Sequence, residues 1–319
     1  MGEFDLIKRF FVREPSQAGV VMGIGDDCAV LVPTPGMQWL ISTDMLVEGR
    51  HFLSTVAPER LGHKALAVNL SDLAACGATP RAFTLALALP RAEEGWLAGF
   101  SKGMFTLADA HGIHLVGGDT TQGPLNISIT VMGEAPAGTA LLRSGARAGD
   151  DIYVSGQLGD ARLALEVFRG SISLPGAQFE QVRRAMECPQ PRVALGQALR
   201  GVASSAVDVS DGLIGDLGHI LQRSAVGAGL DIDILPCSAV LAAQPQALRR
   251  ECSLAGGDDY ELVFTAAPEQ RAAVQRASEQ SATPVTRIGR IEAAAGLRLL
   301  DQEGQVLPQQ FSSFDHFKS

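Results

Sequence analysis

Apolar residues recur along the chain with two different periods, which separate the predicted helices from the predicted strands. Near the N-terminus, Phe4, Ile7, Phe10 and Phe11 are spaced as on one face of a helix. Residues 83–89 are nearly all apolar, which predicts a buried strand. Because helical and strand patterns are mixed along the whole chain, the sequence predicts an α/β or α+β architecture rather than an all-α or all-β one.

One helix is predicted to begin at Pro58, a favoured first helical position, and to end near Cys76, with Gly77 as its stop. Asn69 and Asp72 are three residues apart, so they share a face of this helix. The leucines that can face the core are Leu66, Leu70 and Leu73. Asp72 is therefore expected on a rigid element.

The remaining elements complete two predicted domains. Strands are predicted at 29–32, 39–42, 83–89, 113–116, 125–133, 152–155, 206–209, 230–234, 260–265 and 286–291. Helices are predicted at 93–111, 159–169, 190–200, 213–224 and 268–280. The chain of 319 residues exceeds the roughly 250 to 300 residues that one hydrophobic core holds. With the polar stretch 143–150 as connector, we expect an N-terminal domain over residues 1–148 and a C-terminal α/β domain over residues 149–319.

The charge of the chain narrows the classes of partner. The 26 Lys plus Arg and 35 Asp plus Glu leave a net charge of −9, which repels a nucleic-acid backbone. No apolar run approaches the roughly 18 residues that a membrane span needs. Five cysteines without a CxxC pair predict reduced thiols rather than a disulfide framework or a zinc ribbon. We expect a cytoplasmic protein that binds neither nucleic acid nor membrane.

Acidic residues beside glycines or hydroxyl residues recur in separate segments of the chain. The segments are GIGDD at 23–27, STD at 42–44, NLSD at 69–72, GGDTT at 117–121 and DVSDG at 208–212. Any one of them could be an ordinary turn or helix cap. Together they favour a site for Mg²⁺, which prefers oxygen ligands, beside bound phosphate. The glycines fit such a site because they let backbone amides approach phosphate closely. Most of these segments, including STD and the predicted loop at 117–123, are expected where strands end.

Familiar nucleotide-binding signatures are missing from the chain. It has no GxxxxGK[ST] loop and no HRD or DFG segment. GIGDDC has only two glycines of the GxGxxG fingerprint, with acidic residues where a pyrophosphate would lie, so a Rossmann site is a weak alternative. A nucleotide site must be of another kind.

The acidic segments in their order along the chain resemble those of the thiamine-monophosphate kinase family. The resemblance is carried by GIGDD, STDMLVEGRHF at 42–52, NLSDLAACGA at 69–78, GGDTT, DVSDGL at 208–213, GGDDYEL at 256–262 and FDHF at 314–317. It implies a two-domain fold of the aminoimidazole ribonucleotide synthetase type. It further implies homodimerisation through the N-terminal sheet, and a C-terminal domain that completes the nucleotide and substrate site.

The resemblance also implies a role for individual residues. Several magnesium ions are expected on Asp27, Ser42, Thr43, Asp44, Asp72, Asp119, Asp208 and Asp211. ATP is expected at Gly118, Asp119, Arg143 and Ser210, and thiamine monophosphate at His51, Asp258 and Phe314. Relatives can carry Glu at the position of Asp258 and Tyr or Trp at that of Phe314.

The implied reaction is ATP-dependent phosphorylation of thiamine monophosphate to thiamine diphosphate, by in-line transfer assisted by magnesium. The second pKa of a phosphate monoester is about 6, so its oxygen is already ionised and attacks without a general base. The protein then has to position the two substrates and screen the repulsion between their negatively charged phosphates.

Two other functions stay open beside this one. A non-catalytic sensor of nucleotide or thiamine phosphate would lack some of the metal-binding aspartates, all of which are present. A related synthetase of the superfamily is the second. Selenophosphate synthetases have a reactive Cys or selenocysteine near the N-terminus, but no Cys precedes Cys28 in this sequence. Hydrogenase-maturation relatives end in cysteine, whereas this sequence ends in DHFKS.

Four other residues with metal-binding or charged side chains are given no function. Lys64 and Lys102 belong to no motif, so surface positions are predicted for them. His111 and His114 are three apart, but Gly112 between them predicts that they lie on different elements, which argues against a shared metal.

Overall fold

The computed structural model describes residues 2–13, 19–308 and 311. The chain divides into two compact units: unit 1 holds the described residues up to Leu73 together with Ala78–Thr139, and unit 2 holds Ala74–Gly77 and the described residues from Ala140 onward. The division after Thr139 comes before the predicted domain limit at residues 148 and 149, which stays a prediction.

Unit 1 is built around a four-stranded sheet. Its elements are α1 (Glu3–Phe10), β1 (Val20–Met22), β2 (Val30–Leu31), β3 (Met37–Val47), α2 (Pro58–Ala75), β4 (Thr79–Leu89), α3 (Glu94–His111), β5 (His114–Gln122) and β6 (Asn126–Pro136). β1 and β2 form a separate antiparallel pair. The sheet has the order β3-β6-β4-β5, with β4 and β5 parallel and the other neighbours antiparallel.

Helices α2 and α3 cross closely, and glycines make the crossing possible. A Cβ on Gly62 would lie 2.0 Å from the carbonyl oxygen of Phe100, and one on Gly103 would lie 1.8 Å from that of Glu59. No side chain fits in such a gap, so the backbones touch. The predicted core leucines of α2, Leu66 and Leu70, are completely buried. This packing holds α2, which carries Asn69 and Asp72, as a rigid support.

Unit 2 is a mixed layer of helices on a six-stranded sheet. Its elements are β7 (Asp151–Ser155), α4 (Asp160–Phe168), α5 (Gly176–Glu187), α6 (Val193–Ala198), β8 (Ser205–Asp208), α7 (Leu213–Ser224), β9 (Gly227–Asp231), α8 (Ala239–Ala242), α9 (Gln246–Ala255), β10 (Leu262–Ala266), α10 (Arg271–Gln280), β11 (Val285–Glu292) and β12 (Gly296–Leu300), with short 3₁₀ turns before α8 and α10. The sheet order is β12-β9-β11-β7-β10-β8. Only the β12–β9 pair is parallel among these neighbours. One core cluster includes side chains of β7, α7, β9 and β11, and a second joins α4, α5 and α9.

Most predicted helices and strands are confirmed, but two segments were assigned wrongly. The strand predicted to end at residue 42 continues to Val47, so Ser42 and Asp44 lie inside β3. The loop predicted at 117–123 is largely strand, because β5 runs to Gln122. In both places, pairing with a neighbouring strand outweighs the turn preference of Ser, Asp and Gly. The sequence pattern did not predict five further elements: β1, α5, α8, α9 and β12.

In the described part of the chain, no helix has the length and apolar character to cross a membrane.

Candidate active site

The acidic segment of β3 lies against helix α2 through two side-chain hydrogen bonds. The hydroxyl of Ser42 donates a hydrogen bond to Oδ2 of Asp72. The amide of Asp44 donates to Oδ1 of Asn69 over 3.1 Å. Asn69 is buried and its Nδ2 donates to the carbonyl of Ala65 over 2.9 Å, which fixes the orientation of the amide. The predicted shared face of Asn69 and Asp72 is therefore the face that meets β3.

Thr43 lies on the opposite face of the strand from Ser42 and Asp44. Successive side chains of a strand alternate between faces, and Thr43 is exposed between its two half-buried neighbours. Its hydroxyl shares a hydrogen bond of 2.8 Å with that of Thr130 on β6. Any metal held on the α2 side by Ser42 and Asp44 could therefore contact Thr43 only through its backbone oxygen.

The GGDTT segment lies on β5, at the edge of the sheet away from β3. Gly118 is opposite Leu85 and Asp119 is opposite Ala86 of β4. Gly118 has a φ of +143°, and a Cβ there would lie 1.9 Å from the carbonyl oxygen of Leu85. Any side chain at this position would clash with the backbone of β4. Asp119 is exposed.

The GIGDD segment passes beside this edge strand. A Cβ on Gly23 would lie 3.9 Å from Cα of Val116, three residues before Asp119. Asp27 is exposed, and its amide donates to Oδ1 of Asp26 over 2.8 Å. Strands β6 and β4 separate β5 from β3. Among the predicted oxygen ligands of unit 1, Ser42, Thr43 and Asp44 on β3 are therefore separated from Asp119 on β5 by two strands of the sheet.

His51 is held in a turn directly after β3. The amide of Val47 donates to Nδ1 of His51 over 3.0 Å, so Nδ1 is the acceptor and the neutral ring carries its proton on Nε2. The ammonium of Lys64 donates to the carbonyl oxygen of His51 over 3.1 Å. Lys64 was predicted to lie at the surface, but only 2% of it is exposed. Residues 65–70, which follow it, are apolar apart from Asn69, and such a segment is typical of a buried helix, a signal that could have identified it.

In unit 2 the DVSDG segment forms the turn between β8 and α7. Asp208 is buried at the end of β8. The amides of Ser210 and Asp211 both donate to Oδ2 of Asp216, each over 3.0 Å. Gly212 precedes the helix with a φ of +111°. Asp216, which was not among the predicted site residues, therefore holds the turn from within the helix.

The charges around this turn include Arg143. Burial raises the pKa of Asp216 to about 7, and the neighbouring Asp211 carboxylate adds to the rise. The amides of Asp211 and Ser210 and the positive charge of Arg143 act in the opposite direction. Arg143 itself is exposed. The guanidinium that was predicted to meet ATP thus lies close enough to influence the carboxylate supporting Ser210.

The GGDDYEL segment pairs with the DVSDG turn. The amide of Asp258 donates to the carbonyl of Ser210, and the amide of Tyr260 donates to that of Val209, both over 2.8 Å. Asp258 has a φ of +73° and Tyr260 a φ of +51°, a strained conformation for side-chain-bearing residues. Unit 2 therefore brings Ser210 and Asp258, predicted to contact ATP and thiamine monophosphate respectively, into direct backbone contact.

Buried polar contacts fix this strained segment from behind. Asp259 accepts the amide of Gly159 with both carboxylate oxygens, at 2.9 and 3.1 Å, and burial raises its pKa well above the usual range. Glu261 accepts two hydrogen bonds from the guanidinium of Arg192 and one from Ser155. Because Asp259 and Glu261 are held in place by these hydrogen bonds, the strained backbone at Asp258 and Tyr260 cannot relax.

Comparisons with known proteins place the chain in a family. The model of the AIR synthase related protein N-terminal domain matches residues 25–135, and that of the C-terminal domain matches residues 147–302. The thiamine-monophosphate kinase of Escherichia coli (strain K12) is 44% identical over 322 residues, covering 99% of this chain and 98% of that protein. The chain belongs to the thiamine-monophosphate kinase family.

Solved structures of this family have the same fold. A crystal structure of thiamine-monophosphate kinase from Stenotrophomonas maltophilia K279a is 47% identical, with a TM-score of 0.85 over 92% of this chain and 93% of that one. A structure of AaThiL complexed with AMPPCP and TMP is 29% identical, with a TM-score of 0.78 over 90% of this chain and 89% of that one. The family relationship and the two-domain fold that the motifs implied are both confirmed.

The donor chemistry of the site fits magnesium. Ser42, Asp44 and Asp72 offer hydroxyl and carboxylate oxygens, and Mg²⁺ is commonly bound through one or two carboxylates together with substrate phosphates. In the described part of the chain no group of three or more His, Cys, Asp or Glu side chains is arranged to hold a metal.

Phe314, predicted to contact the substrate, lies outside the described residues.

Proposed function

We propose that this chain transfers the γ-phosphoryl group of ATP to the phosphate of thiamine monophosphate, producing thiamine diphosphate and ADP. The observation that carries the proposal is the match along nearly the whole chain to thiamine-monophosphate kinases. One of the matched structures, AaThiL, was solved with AMPPCP, an analogue of ATP, and TMP. The ordered acidic segments of both units supply the oxygen donors that such a reaction requires.

The chemistry needs no general base from the protein. The attacking phosphate oxygen is largely ionised near neutral pH, because the second pKa of a phosphate monoester is about 6. The oxygen attacks the γ-phosphorus in line, the bond to the β-phosphate oxygen breaks, and ADP leaves with that electron pair. What remains is to hold two polyanions in one geometry against their repulsion.

Magnesium is the proposed means of screening that repulsion. When bound, Mg²⁺ supplies positive charge to the phosphates and orients them. We assign its ligands to the acidic and hydroxyl positions Asp27, Ser42, Thr43, Asp44, Asp72, Asp119, Asp208 and Asp211. Thr43 would contribute its backbone oxygen, since its hydroxyl lies with Thr130 on the other face of β3. Asn69 holds the backbone of Asp44 and so orients a ligand without being one.

The remaining proposed contacts divide between the two substrates. Gly118 and Asp119 in unit 1 and Ser210 and Arg143 in unit 2 are assigned to ATP. Gly118 lets the backbone come close to phosphate, and Arg143 adds a permanent positive charge.

Thiamine monophosphate is assigned to His51, Asp258 and Phe314. The Nε2 proton of His51 suits a phosphate oxygen, because its Nδ1 is already occupied by the Val47 amide. The carboxylate of Asp258 suits the positively charged thiazolium ring of thiamine. Phe314 would stack on an aromatic ring of the substrate.

A homodimer formed through the sheet of unit 1 is also proposed. β3 exposes Trp39, Ile41 and Met45 on the face away from Ser42 and Asp44, and contiguous exposed apolar side chains mark interaction surfaces. Ile41→Asp should convert the dimer to a monomer in sedimentation analysis, whereas Val306→Asp, at an equally exposed position of unit 2, should leave it a dimer. A dimer that survives Ile41→Asp would contradict this interface.

We further propose that the enzyme works in the cytoplasm, where ATP is supplied and thiols stay reduced. None of the five cysteines, all of which lie in the described part of the chain, forms a disulfide.

An ADP-release assay tests the function. Magnesium and ATP are supplied with thiamine monophosphate, and in parallel with thiamine and with an aminoimidazole ribonucleotide. Of the three acceptors, we expect only thiamine monophosphate to support ADP release. The kcat should fall about 100-fold or more in Asp44→Asn and in Asp72→Asn. Asp109→Asn, an exposed partner of Arg13 in unit 1, is the control and should keep full activity. Binding of both ligands without ADP release would favour the sensor instead.

A further inference from the structure

We infer that Asp216 is a positioning residue for the nucleotide site, acting through the backbone amides of Ser210 and Asp211. The inference rests on the proposed function, which assigns Ser210 to ATP and Asp211 to magnesium. Asp216 itself lies inside α7 with only 2% of its surface exposed. It is therefore removed from solvent and acts on the reaction only through the turn that it holds.

The geometry concentrates two hydrogen bonds on one oxygen. Oδ2 of Asp216 accepts the amide of Ser210 and the amide of Asp211, each over 3.0 Å. Both amides precede the first residue of α7, so helix hydrogen bonding cannot satisfy them. Removing this acceptor would leave two donors of the turn without their partner.

The turn has little freedom to find another arrangement. Gly212 has a φ of +111°, and a Cβ there would lie 3.0 Å from the carbonyl carbon of Ala255. A Cβ on Gly257 would lie 2.3 Å from the carbonyl oxygen of Ser210. The backbone of the turn is thus packed directly against residues 255–257. A displacement of Ser210 would have to move this neighbouring segment as well.

The backbone of Ser210 also connects this turn to Asp258, the residue assigned to thiamine monophosphate. Ser210 gives its amide to Asp216 and accepts the amide of Asp258 at its carbonyl oxygen over 2.8 Å. Asp258 keeps a strained φ of +73°, which requires support from its surroundings. Asp216 therefore stabilises Ser210 and Asp211 directly, and Asp258 through Ser210.

Three substitutions separate this role from direct metal binding and from a general effect on stability. Asp216→Asn keeps an acceptor oxygen and removes the charge. Asp216→Leu keeps the shape and removes the acceptor. Asp150→Leu is the matched control, since Asp150 is also buried in unit 2 and accepts the amide of Arg147 over 3.0 Å and the hydroxyl of Ser204 over 2.6 Å.

The first measurement is the affinity for AMPPCP with magnesium by titration calorimetry. We expect Asp216→Leu to weaken binding about tenfold or more, as loss of a supporting contact does at metal sites. Asp216→Asn should stay within about threefold of the wild type, and Asp150→Leu should lower Tm without changing the affinity. Equal losses in Asp216→Asn and Asp216→Leu would overturn the inference, because the charge itself would then be required. Wild-type affinity in Asp216→Leu would overturn it too.

The second measurement is amide hydrogen exchange of Ser210 and Asp211 in the protein without nucleotide. Protection of both amides should fall in Asp216→Leu and persist in Asp216→Asn. Unchanged protection in Asp216→Leu would overturn the inference even if the protein turned out to bind no nucleotide, so this outcome is distinct from failure of the proposed function. If Asp216→Leu does not fold, Asp216→Ala takes its place. If neither folds, the test is Asp216→Asn, in which loss of protection at the Ser210 and Asp211 amides would overturn the inference.

Discussion

The amide of Asp258 donates a hydrogen bond of 2.8 Å to the carbonyl oxygen of Ser210. The residue assigned to thiamine monophosphate is thereby joined through the backbone to a residue assigned to ATP. Because the link is made by main-chain atoms, substitution of either side chain can change one function without breaking the contact.

Asp258→Asn should weaken the use of thiamine monophosphate selectively. Asparagine tolerates the positive φ of this position, so the backbone is preserved and only the charge is lost. We expect the KM for thiamine monophosphate to rise about tenfold, because attraction to the thiazolium ring disappears, while the KM for ATP changes by less than about twofold. Steady-state kinetics with each substrate varied in turn measures both. An equal rise in both KM values would contradict the assignment.

Lys64→Met tests the support of the His51 turn. Methionine can fill the buried space, but it cannot donate to the carbonyl oxygen of His51. A hydrogen bond from a charged group is worth about 1.5 to 3 kcal/mol, so urea unfolding should show a loss of that size. The KM for thiamine monophosphate should rise about fivefold as His51 loses its position.

Lys102→Met is the control for that substitution. Lys102 is exposed and pairs with Glu59 over 3.0 Å. Exposed ion pairs contribute at most about 1 kcal/mol, so its stability should change little and its kinetics should not change. Similar losses in the two lysine variants would show that the burial of Lys64 has no special importance.

Gly118→Ala should strongly destabilise unit 1. The added Cβ would lie 1.9 Å from the carbonyl oxygen of Leu85, and backbone atoms within a sheet cannot easily move away. We expect a loss of at least about 2 kcal/mol in the free energy of unfolding. Gly138→Ala is the control, with a φ of +79° but nothing within 4 Å of the added Cβ, and should cost about 1 kcal/mol or less. Equal losses measured by urea unfolding would contradict the close packing of β5 on β4.

Stability should fall in acid partly through Asp151. Hydrogen bonds from Arg271, with the charges of Arg271 and Arg287, hold the pKa of this buried carboxyl below its usual range. A carboxyl with a lowered folded-state pKa contributes stability that is complete above the unfolded-state value of about 3.9. The contribution is lost as the pH falls through the lower folded-state pKa.

Asp151→Asn isolates this contribution. The variant should be less stable than the wild type in urea at pH 5 to 7, and the difference should shrink as the pH falls below about 4. A difference that stays constant down to pH 2 would show that the ion pairs of Asp151 do not account for it.

The sequence predicted the elements whose patterns are local. The helix from Pro58, with Asn69 and Asp72 on one face, follows from spacing and a proline, and the end of α3 follows from Gly112, whose φ is +59°. These signals need no knowledge of distant residues. The predicted separation of His111 and His114 is confirmed for the same reason, since they lie on α3 and β5.

Other features depend on contacts between segments far apart in the chain. Ser42 and Asp44 are residue types that favour turns, but pairing with β6 keeps them in a strand. Gly118 belongs to a glycine-rich segment typical of a loop, yet it lies in a strand, where the close contact of β5 with β4 leaves no room for a side chain. Asp216 resembles an ordinary acidic residue in the first turn of a helix until its two amide partners are seen. Such features become visible only when the distant partner is placed.

The transfer of label from ATP tests the central claim most directly. ATP labelled in its γ-phosphate is incubated with magnesium, thiamine monophosphate and the enzyme, and the products are separated. We predict that the label appears in thiamine diphosphate in an amount equal to the ADP formed, and that omission of magnesium abolishes it. Label recovered only as inorganic phosphate, or remaining in ATP, would contradict the assignment of this chain as a kinase of thiamine monophosphate.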